Sequence, residues 1–321
     1  MKQQNTSHSD VIIVGNGITS QFFALRLSKI LGRRIRIKII DKERKDADRI
    51  KYVRALSISL STVNLCKSLG IWTLIEPHTH PIYKIFISHS ESYEEKPSFL
   101  NLDNRVNDEV ASYIIDEKVL RNIVSAETAK LSNIDLIYAD VDDIKLETDL
   151  VSVKVQDQIL TSKLLVAADG RKSTVKKQLN IKSVSWGYNQ VALSCLIEHT
   201  KNNENIAVEN FLHTGPIALL PMGKGTSSVI WSVNRDNVDE IEKISNGDSK
   251  LSIEKQFKNY IGEIIKLDNS GLFELNFSVV QKLYFKRCAI IGDAAHSIHP
   301  LAGQGTNLGL RDIICLSDKI V

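Results

Sequence analysis

No stretch of this 321-residue sequence approaches the roughly 20 consecutive apolar residues of a membrane-spanning helix. Residues 1–9 are polar and the apolar run from Val11 is only a few residues long, so no signal peptide is expected. Any membrane association is expected to be peripheral. Cysteine is sparse and dispersed, at positions 66, 195, 288 and 315, with no CxxC or Cys/His spacing for zinc. That usage points to a reducing, cytoplasmic setting. The net charge of +3 is too small to argue for a nucleic-acid partner. The densest basic cluster, Arg33 to Lys38, alternates with isoleucine, as a strand with one solvated face would. There is no internal repeat, low-complexity segment, Ser/His/Asp nucleophile motif, P-loop or HExxH zinc motif. What is present is an ordinary globular composition, 43% hydrophobic and 25% charged, in a chain long enough for two lobes.

The chain begins with a β-branched run, Asp10 to Val14, that ends in Gly15-Asn-Gly17-Ile-Thr-Ser20. An amphipathic helix follows, with Phe22, Phe23, Leu25, Leu27 and Ile30 on its apolar stripe. A second strand, Ile35 to Ile40, ends in Asp41. This is a βαβ unit with an acid about twenty residues past the turn, the pattern that binds a dinucleotide. Gly15 permits the tight turn, and Gly17 lets a pyrophosphate approach the helix N-terminus. Asp41 can accept hydrogen bonds from the adenosine ribose. Ser20 stands where the fingerprint has its third glycine, so the helix is expected slightly further from the strand. The pattern alone does not choose between NAD and FAD.

Two further turns share this design. Leu164 to Ala168 is an apolar strand that delivers Asp169-Gly170 at its end, followed by Arg171, Lys172 and a helix start. Cys288 to Ile291 is another, delivering Gly292-Asp293. After the second come His299, Pro300, Gly303, Gly305, Thr306 and Asn307, glycine-rich enough for the backbone to approach a flat ligand. Helical periodicity resumes at Asn307, and such a helix aims free N–H groups and its positive dipole end at what lies in front. Cys288 is expected to be a small core residue.

The segment from Gly292 to Asp312 (Gly-Asp-Ala-Ala-His-Ser-Ile-His-Pro-Leu-Ala-Gly-Gln-Gly-Thr-Asn-Leu-Gly-Leu-Arg-Asp) resembles the second FAD motif of flavin-dependent aromatic hydroxylases, the ubiquinone-biosynthesis hydroxylases above all. Asp169-Gly170 resembles the Asp-Gly motif of the same class, used near FAD and NADPH. Arg54 stands where that family has an arginine on the FAD phosphates. Asp116, a plausible N-cap of the helix after Tyr113-Ile-Ile, stands where a polar residue lies near the flavin. Residues 209–222 and the Ile230-Trp231 strand resemble the substrate domain of the ubiquinone hydroxylases.

The resemblance implies an α/β fold: a Rossmann-like FAD-binding domain of the glutathione-reductase type with an inserted, mostly antiparallel β substrate domain. Residues 1–76, 111–182 and 281–321 are assigned to the first, and 77–110 and 183–280 to the second. It implies bound FAD with NAD(P)H as co-substrate, and hydroxylation of an aromatic ring by O2 through a C4a-hydroperoxyflavin. The implied substrate is a hydrophobic polyprenyl phenol of ubiquinone biosynthesis, with a peripheral place at the inner membrane face and a biosynthetic complex as partner. The cofactor-binding set is Gly15, Gly17, Ser20, Asp41, Arg54, Asp116, Asp169, Gly170, Asp293, Pro300, Gly303, Gly305, Thr306 and Asn307. Arg171 or Lys172 is expected to face nicotinamide-cofactor phosphates.

No side chain is assigned as general base and no metal is expected. His78 and His80 read as a solvated loop, and Asp140, Asp142 and Asp143 as an exposed turn. Residues 61–72, with a stop at Gly70, and residues 251–265 read as amphipathic helices. Val191–Glu198, Ala207–Leu212, Ile217–Pro221 and Ser228–Val233 read as antiparallel strands, with Phe211, Leu219, Met222 and Trp231 as pocket candidates. Members of the family continue past the last motif, whereas this sequence stops at Val321. A non-catalytic FAD-binding remnant and a flavin reductase or halogenase of the same fold are the rival readings; no lysine-bearing halogenase motif is present.

Overall fold

The computed structural model describes residues 6–42, 53–89, 98–103, 110–237 and 249–321. In chain order the elements are β1 (Thr6–Val14), α1 (Ile18–Leu31), β2 (Ile37–Asp41), β3 (Ala55–Ser59), α2 (Leu60–Ser68), α3 (Trp72–Ile75), β4 (His80–Ile82), β5 (Lys84–Ser88) and β6 (Ser98–Asp103). Then come β7 (Ser112–Asp116), α4 (Glu117–Ala129), β8 (Ile134–Tyr138), β9 (Asp143–Leu146), β10 (Val151–Val155), β11 (Gln158–Ala167) and α5 (Thr174–Gln178). The rest is β12 (Ser183–His199), β13 (Ile206–Leu212), β14 (Gly215–Gly223), β15 (Thr226–Asn234), α6 (Ser249–Ile261), β16 (Ile264–Val280), β17 (Tyr284–Phe285), β18 (Cys288–Ile290), β19 (His296–Ser297) and α7 (Gln304–Ile320).

The first sheet runs β17-β18-β11-β1-β2-β8, with β18, β11, β1, β2 and β8 mutually parallel and the β9–β10 hairpin added to β11. Its central strand reads Val-Ile-Ile-Val because both faces are covered. The period of two sorts the side chains. Val11 and Ile13 pack with Phe22, Phe23 and Leu27 of α1, while Ile12 and Val14 pack with Val153, Leu160 and Ile290 on the other face.

The second sheet runs β19-β16-β12-β15-β14-β13-β5-β6 and is antiparallel except where β13 meets β5. Helix α6 covers one face, where Ile253, Phe257 and Ile261 pack on Leu219, Trp231 and Val233. A small third sheet, β3-β7-β4, lies between the two large ones in chain connectivity. Arg54 immediately precedes its strand β3. The fold is therefore a Rossmann-type parallel sheet with helices, joined to a mostly antiparallel sheet.

Several boundaries differ from those expected. Helix α2 ends at Ser68, just ahead of the expected stop at Gly70 (φ +68°), and Trp72 lies beyond that turn at the start of α3. Helix α6 stops at Ile261, because Gly262 takes φ +70° and β16 begins two residues on. Helix α7 starts three residues earlier than expected, at Gln304 behind a left-handed Gly303. The last motif also reaches across: His296 and Ser297 pair with Val279 and Ser278 of the antiparallel sheet. His80 begins β4 and pairs with Ile114 rather than lying in a loop. Asp143 opens β9, so the acidic trio is not wholly a turn. Among the described residues no group of His, Cys, Asp or Glu is arranged to hold a metal.

Candidate functional site

Two parallel strands end side by side at the first corner. Gly15 N–H donates to Ile40 O at 2.7 Å and Ala168 N–H to Val14 O at 2.8 Å. Gly15 adopts φ +106°, and a Cβ there would lie 2.3 Å from Ala168 O and 2.8 Å from Asp169 Cα. Only glycine allows the first and second turns to touch. Gly17 is different: its backbone is extended and a Cβ would meet nothing within 4 Å. The space beside it opens in front of α1, whose N-terminus has no side-chain cap. Asp41 is held at the end of β2, its Oδ2 accepting from Asn16 N at 2.9 Å.

Gly15, Gly17, Asp41, Asp169, Gly170 and Lys172 line one cleft. Ser173 is the N-cap of α5, and Asp169 Oδ2 adds to it by accepting from Thr174 N at 2.6 Å and Val175 N at 3.2 Å. Its Oδ1 is buried without a hydrogen-bond partner, an acceptor left for a ligand hydroxyl.

The third corner touches the first helix. A Cβ on Gly292 (φ +62°) would lie 2.9 Å from Thr19 Oγ1 of α1. Asp312 of α7 secures this turn by accepting from Gly292 N at 2.9 Å and pairing with His296 Nε2 at 2.6 Å. Beyond it lies a slot of about 1000 Å³, mouth included, bordered by Arg54, Arg171, Asp293, Pro300, Gly303, Gly305 and Thr306. Arg54 is set by Glu117 at 2.8 Å, and Arg121 holds the same carboxylate at 3.3 Å. Gly303 is left-handed, and a Cβ there would strike Ser57 Cβ at 2.9 Å, so β3 packs directly on the start of α7. The N-terminus of α7 has no side-chain cap and Gly305 beside it has open space, so its dipole faces the slot.

A second cavity of about 740 Å³ shares Ala55, Ile230, Pro300 and Gly303 with the slot. Its walls are mainly apolar: Ile85, Ile114, Ala207, Ala218, Leu220 and Ile230. Two titratable groups interrupt them. Burial pushes the Glu209 carboxyl above its ordinary range, and burial pushes His299 below its own.

Three predicted cofactor contacts lie elsewhere. Ser20 is fully buried, its Oγ donating to Gly17 O at 3.1 Å. It closes the turn from beneath and does not line the cleft. Asp116 is the N-cap of α4, accepting from Lys118 N at 2.8 Å, and lines neither the slot nor the cleft. Asn307 is buried and ties three segments together: Oδ1 accepts from Ser59 N and Thr62 Oγ1, both at 2.9 Å, and Nδ2 donates to Ser57 O at 2.7 Å. The pocket candidates divide similarly. Leu219 and Trp231 face α6, and their neighbours Leu220 and Ile230 face the cavity. Phe211 is not among the cavity residues, and Met222 packs beneath it on Ala55, Ile82, Ile114 and Ala207. Sequence reasoning missed Glu209, Glu117 and Ala55. An acid inside the run Ala207-Val-Glu-Asn-Phe was the one signal that could have found Glu209.

The sequence pattern of a family described as FAD binding domain matches residues 8–321. The chain belongs to this family. Its curated relatives include ubiquinone hydroxylase UbiL of Rhodospirillum rubrum, 29% identical over 98% of this chain and 72% of that protein. They include 3-demethoxyubiquinol 3-hydroxylase of Escherichia coli, 25% identical over 98% of this chain and 80% of that protein. Ubiquinone biosynthesis monooxygenase COQ6 of Dictyostelium discoideum is 26% identical over 97% and 76%. Among solved structures, Pseudomonas aeruginosa PqsL in complex with 2-aminobenzoylacetate aligns with TM-score 0.78 at 16% identity, over 97% of this chain and 86% of that one. The p-nitrophenol 4-monooxygenase PnpA of Pseudomonas putida aligns with TM-score 0.75 at 18% identity, over 98% and 79%. The structures speak for the fold alone. Family membership makes the chain an FAD-dependent oxidoreductase, and the site fits that cofactor. It has two uncapped helix N-termini, open space at Gly17 and Gly305, and an orphaned acceptor at Asp169.

Proposed function

We propose that this chain is a monooxygenase that hydroxylates an electron-rich aromatic ring, a polyprenyl phenol of ubiquinone synthesis, with NAD(P)H and O2 as co-substrates. One observation carries the reading: an apolar cavity opens directly onto the FAD slot across Ala55, Ile230, Pro300 and Gly303. When bound, FAD supplies the oxygen-transfer chemistry that no side chain here can provide.

The residues divide the remaining work. Gly15, Gly17 and the N-terminus of α1 take the pyrophosphate, and Asp41 takes the adenosine ribose. Arg54, oriented by Glu117, adds a cation to the slot. The start of α7 stabilises negative charge at the slot's inner end, as a fixed dipole that needs no reorganisation. The apolar walls hold the ring and exclude water. Asp293 and Gly170 belong to the same assembly, with Arg171 and Lys172 at the rim for nicotinamide phosphates. A prenylated substrate would be drawn from a membrane surface, so we place the protein peripherally at the inner face, in contact with the biosynthetic assembly. No helix among the described residues is long and apolar enough to cross a membrane.

Rescue of strains blocked at each ring-hydroxylation step tests the reading and assigns the ring position. The purified protein should be yellow and should oxidise NAD(P)H faster when a candidate phenol is added. A yellow protein that never turns over NAD(P)H would instead be a binding remnant.

A further inference from the structure

His299 stands at the boundary of the two cavities, one residue before Pro300, and lines the apolar one. Its ring is held from the antiparallel sheet. Tyr188 meets it edge-on, with centroids 5.2 Å apart and planes at 84°. Gln190 Oε1 lies 3.0 Å from Nε2. A carbonyl oxygen can only accept, so Nε2 carries the proton. Burial disfavours the imidazolium, so the ring is neutral near neutral pH. A neutral imidazole protonated at Nε2 presents a bare lone pair at Nδ1. That atom is buried and has no hydrogen-bond partner.

A buried acceptor with nothing to accept is costly, and native structures seldom leave one without a reason. None of the other polar side chains on the cavity wall, Ser57, Ser112, Glu209 and Ser232, meets it. Ser57 Oγ donates to Ser112 Oγ at 3.3 Å. Glu209 sits on β13 among Ala207, Val208 and Ala218. Three constraints thus converge: a ring fixed in plane, a tautomer fixed by Gln190, and a lone pair in an apolar cavity beside the FAD slot.

We propose that His299 Nδ1 accepts the hydrogen bond of the substrate's ring hydroxyl and selects a free phenol over its methyl ether. The proposal rests on the hydroxylase reading given above. The phenolic O–H donates, the imidazole accepts, and the ring is oriented with its hydroxyl toward the Pro300 side of the cavity. A methyl ether of the same shape offers no donor and leaves Nδ1 unmet. Hydrogen-bonding sites reject analogues that lack the group far better than apolar pockets reject extra bulk.

The test is equilibrium binding to the FAD-loaded full chain, with 2-prenylphenol and its methyl ether as probes and calorimetry as readout. The wild type should favour the phenol by about tenfold or more. His299→Phe should bring that ratio close to one. His299→Asn, whose amide oxygen can occupy the place of Nδ1, should keep most of the preference. FAD affinity, titrated separately, should be similar in all three and shows that each is folded. A phenol preference that survives in His299→Phe, or that is lost equally in His299→Asn, overturns the proposal. A wild type that takes both probes equally also overturns it and leaves the hydroxylase reading in place. A wild type that binds FAD but neither probe overturns the hydroxylase reading and the proposal with it.

Discussion

Replacing Gly17 with alanine separates what the fold needs from what the ligand needs. Gly17 sits at φ −81° and ψ −178°, a conformation open to any residue, and a Cβ there meets nothing within 4 Å. Alanine loses a few tenths of a kcal/mol as an N-cap and regains a similar amount by restricting the unfolded chain. The stability of the ligand-free protein should therefore change by no more than about 0.5 kcal/mol. FAD binding should behave otherwise, because the methyl group occupies the space in front of the uncapped α1. Lost charge-assisted contacts and steric overlap together come to about 3 kcal/mol, or roughly a hundredfold in affinity. At FAD concentrations about a hundred times the wild-type Kd, linkage gives about 2.7 kcal/mol of stabilisation in the wild type and about 0.4 kcal/mol in the variant. For a chain of this size that is an upward shift in Tm of about 4 °C against about 0.6 °C. Differential scanning calorimetry with and without FAD reads both quantities. Gly15→Ala is the contrasting control, since its φ of +106° and a 2.3 Å overlap with Ala168 O should cost about 3 kcal/mol or more without any ligand. A Gly17→Ala protein with the full FAD shift would refute the placement of the pyrophosphate.

Other expectations follow from the same geometry. Asn307→Ala should cost about 2–4 kcal/mol in denaturant unfolding, because Ser59 N and Ser57 O lose their buried partner. Leu219→Ala should lose about 2–4 kcal/mol of stability from the α6 core, whereas Leu220→Ala should chiefly weaken binding of an aromatic ligand. Glu209, whose folded pKa is raised by burial, binds its proton more tightly in the folded state, so stability falls as pH rises from its ordinary value of 4.5 through the raised one. Glu209→Gln should flatten that part of the stability–pH curve measured by urea titration and leave the protein more stable than wild type above it. Glu117→Gln should free Arg54 and weaken FAD binding about tenfold while leaving the secondary structure by circular dichroism unchanged.

The parts of the site that were legible in the sequence are those fixed by local chemistry. A β-branched strand that stops at glycine or at Asp-Gly must turn, and three such strands in parallel place Gly15 against Ala168 and Asp169, and Gly292 against Thr19 of α1. The helices and the antiparallel strands were legible for the same reason, to within a few residues at Gly70, Gly262 and Gly303. The pocket face was not. Alternation shows that β14 has two apolar faces, one against α6 and one on the cavity, while on β15 the cavity face carries Ile230 between Ser228 and Ser232. Nothing local separates Leu219 from Leu220, whereas the serines on either side of Ile230 were a signal that set its face apart from that of Trp231. The backbone ties made by the Asn307 and Ser20 side chains were not legible either, because a polar residue in a glycine-rich motif can as well tie the backbone as meet a ligand. Glu209 and His299 needed the assembled cavity before their burial had meaning.

The central claim is oxygen transfer from the FAD slot to a ring in the adjoining cavity. Turnover of the FAD-loaded protein with NAD(P)H and a prenylated phenol under isotopically labelled O2, followed by mass spectrometry of the product, tests it most directly. One labelled oxygen atom on the ring is expected for each substrate molecule hydroxylated. NAD(P)H consumption that yields only labelled hydrogen peroxide, or a hydroxyl whose oxygen comes from water, would contradict it.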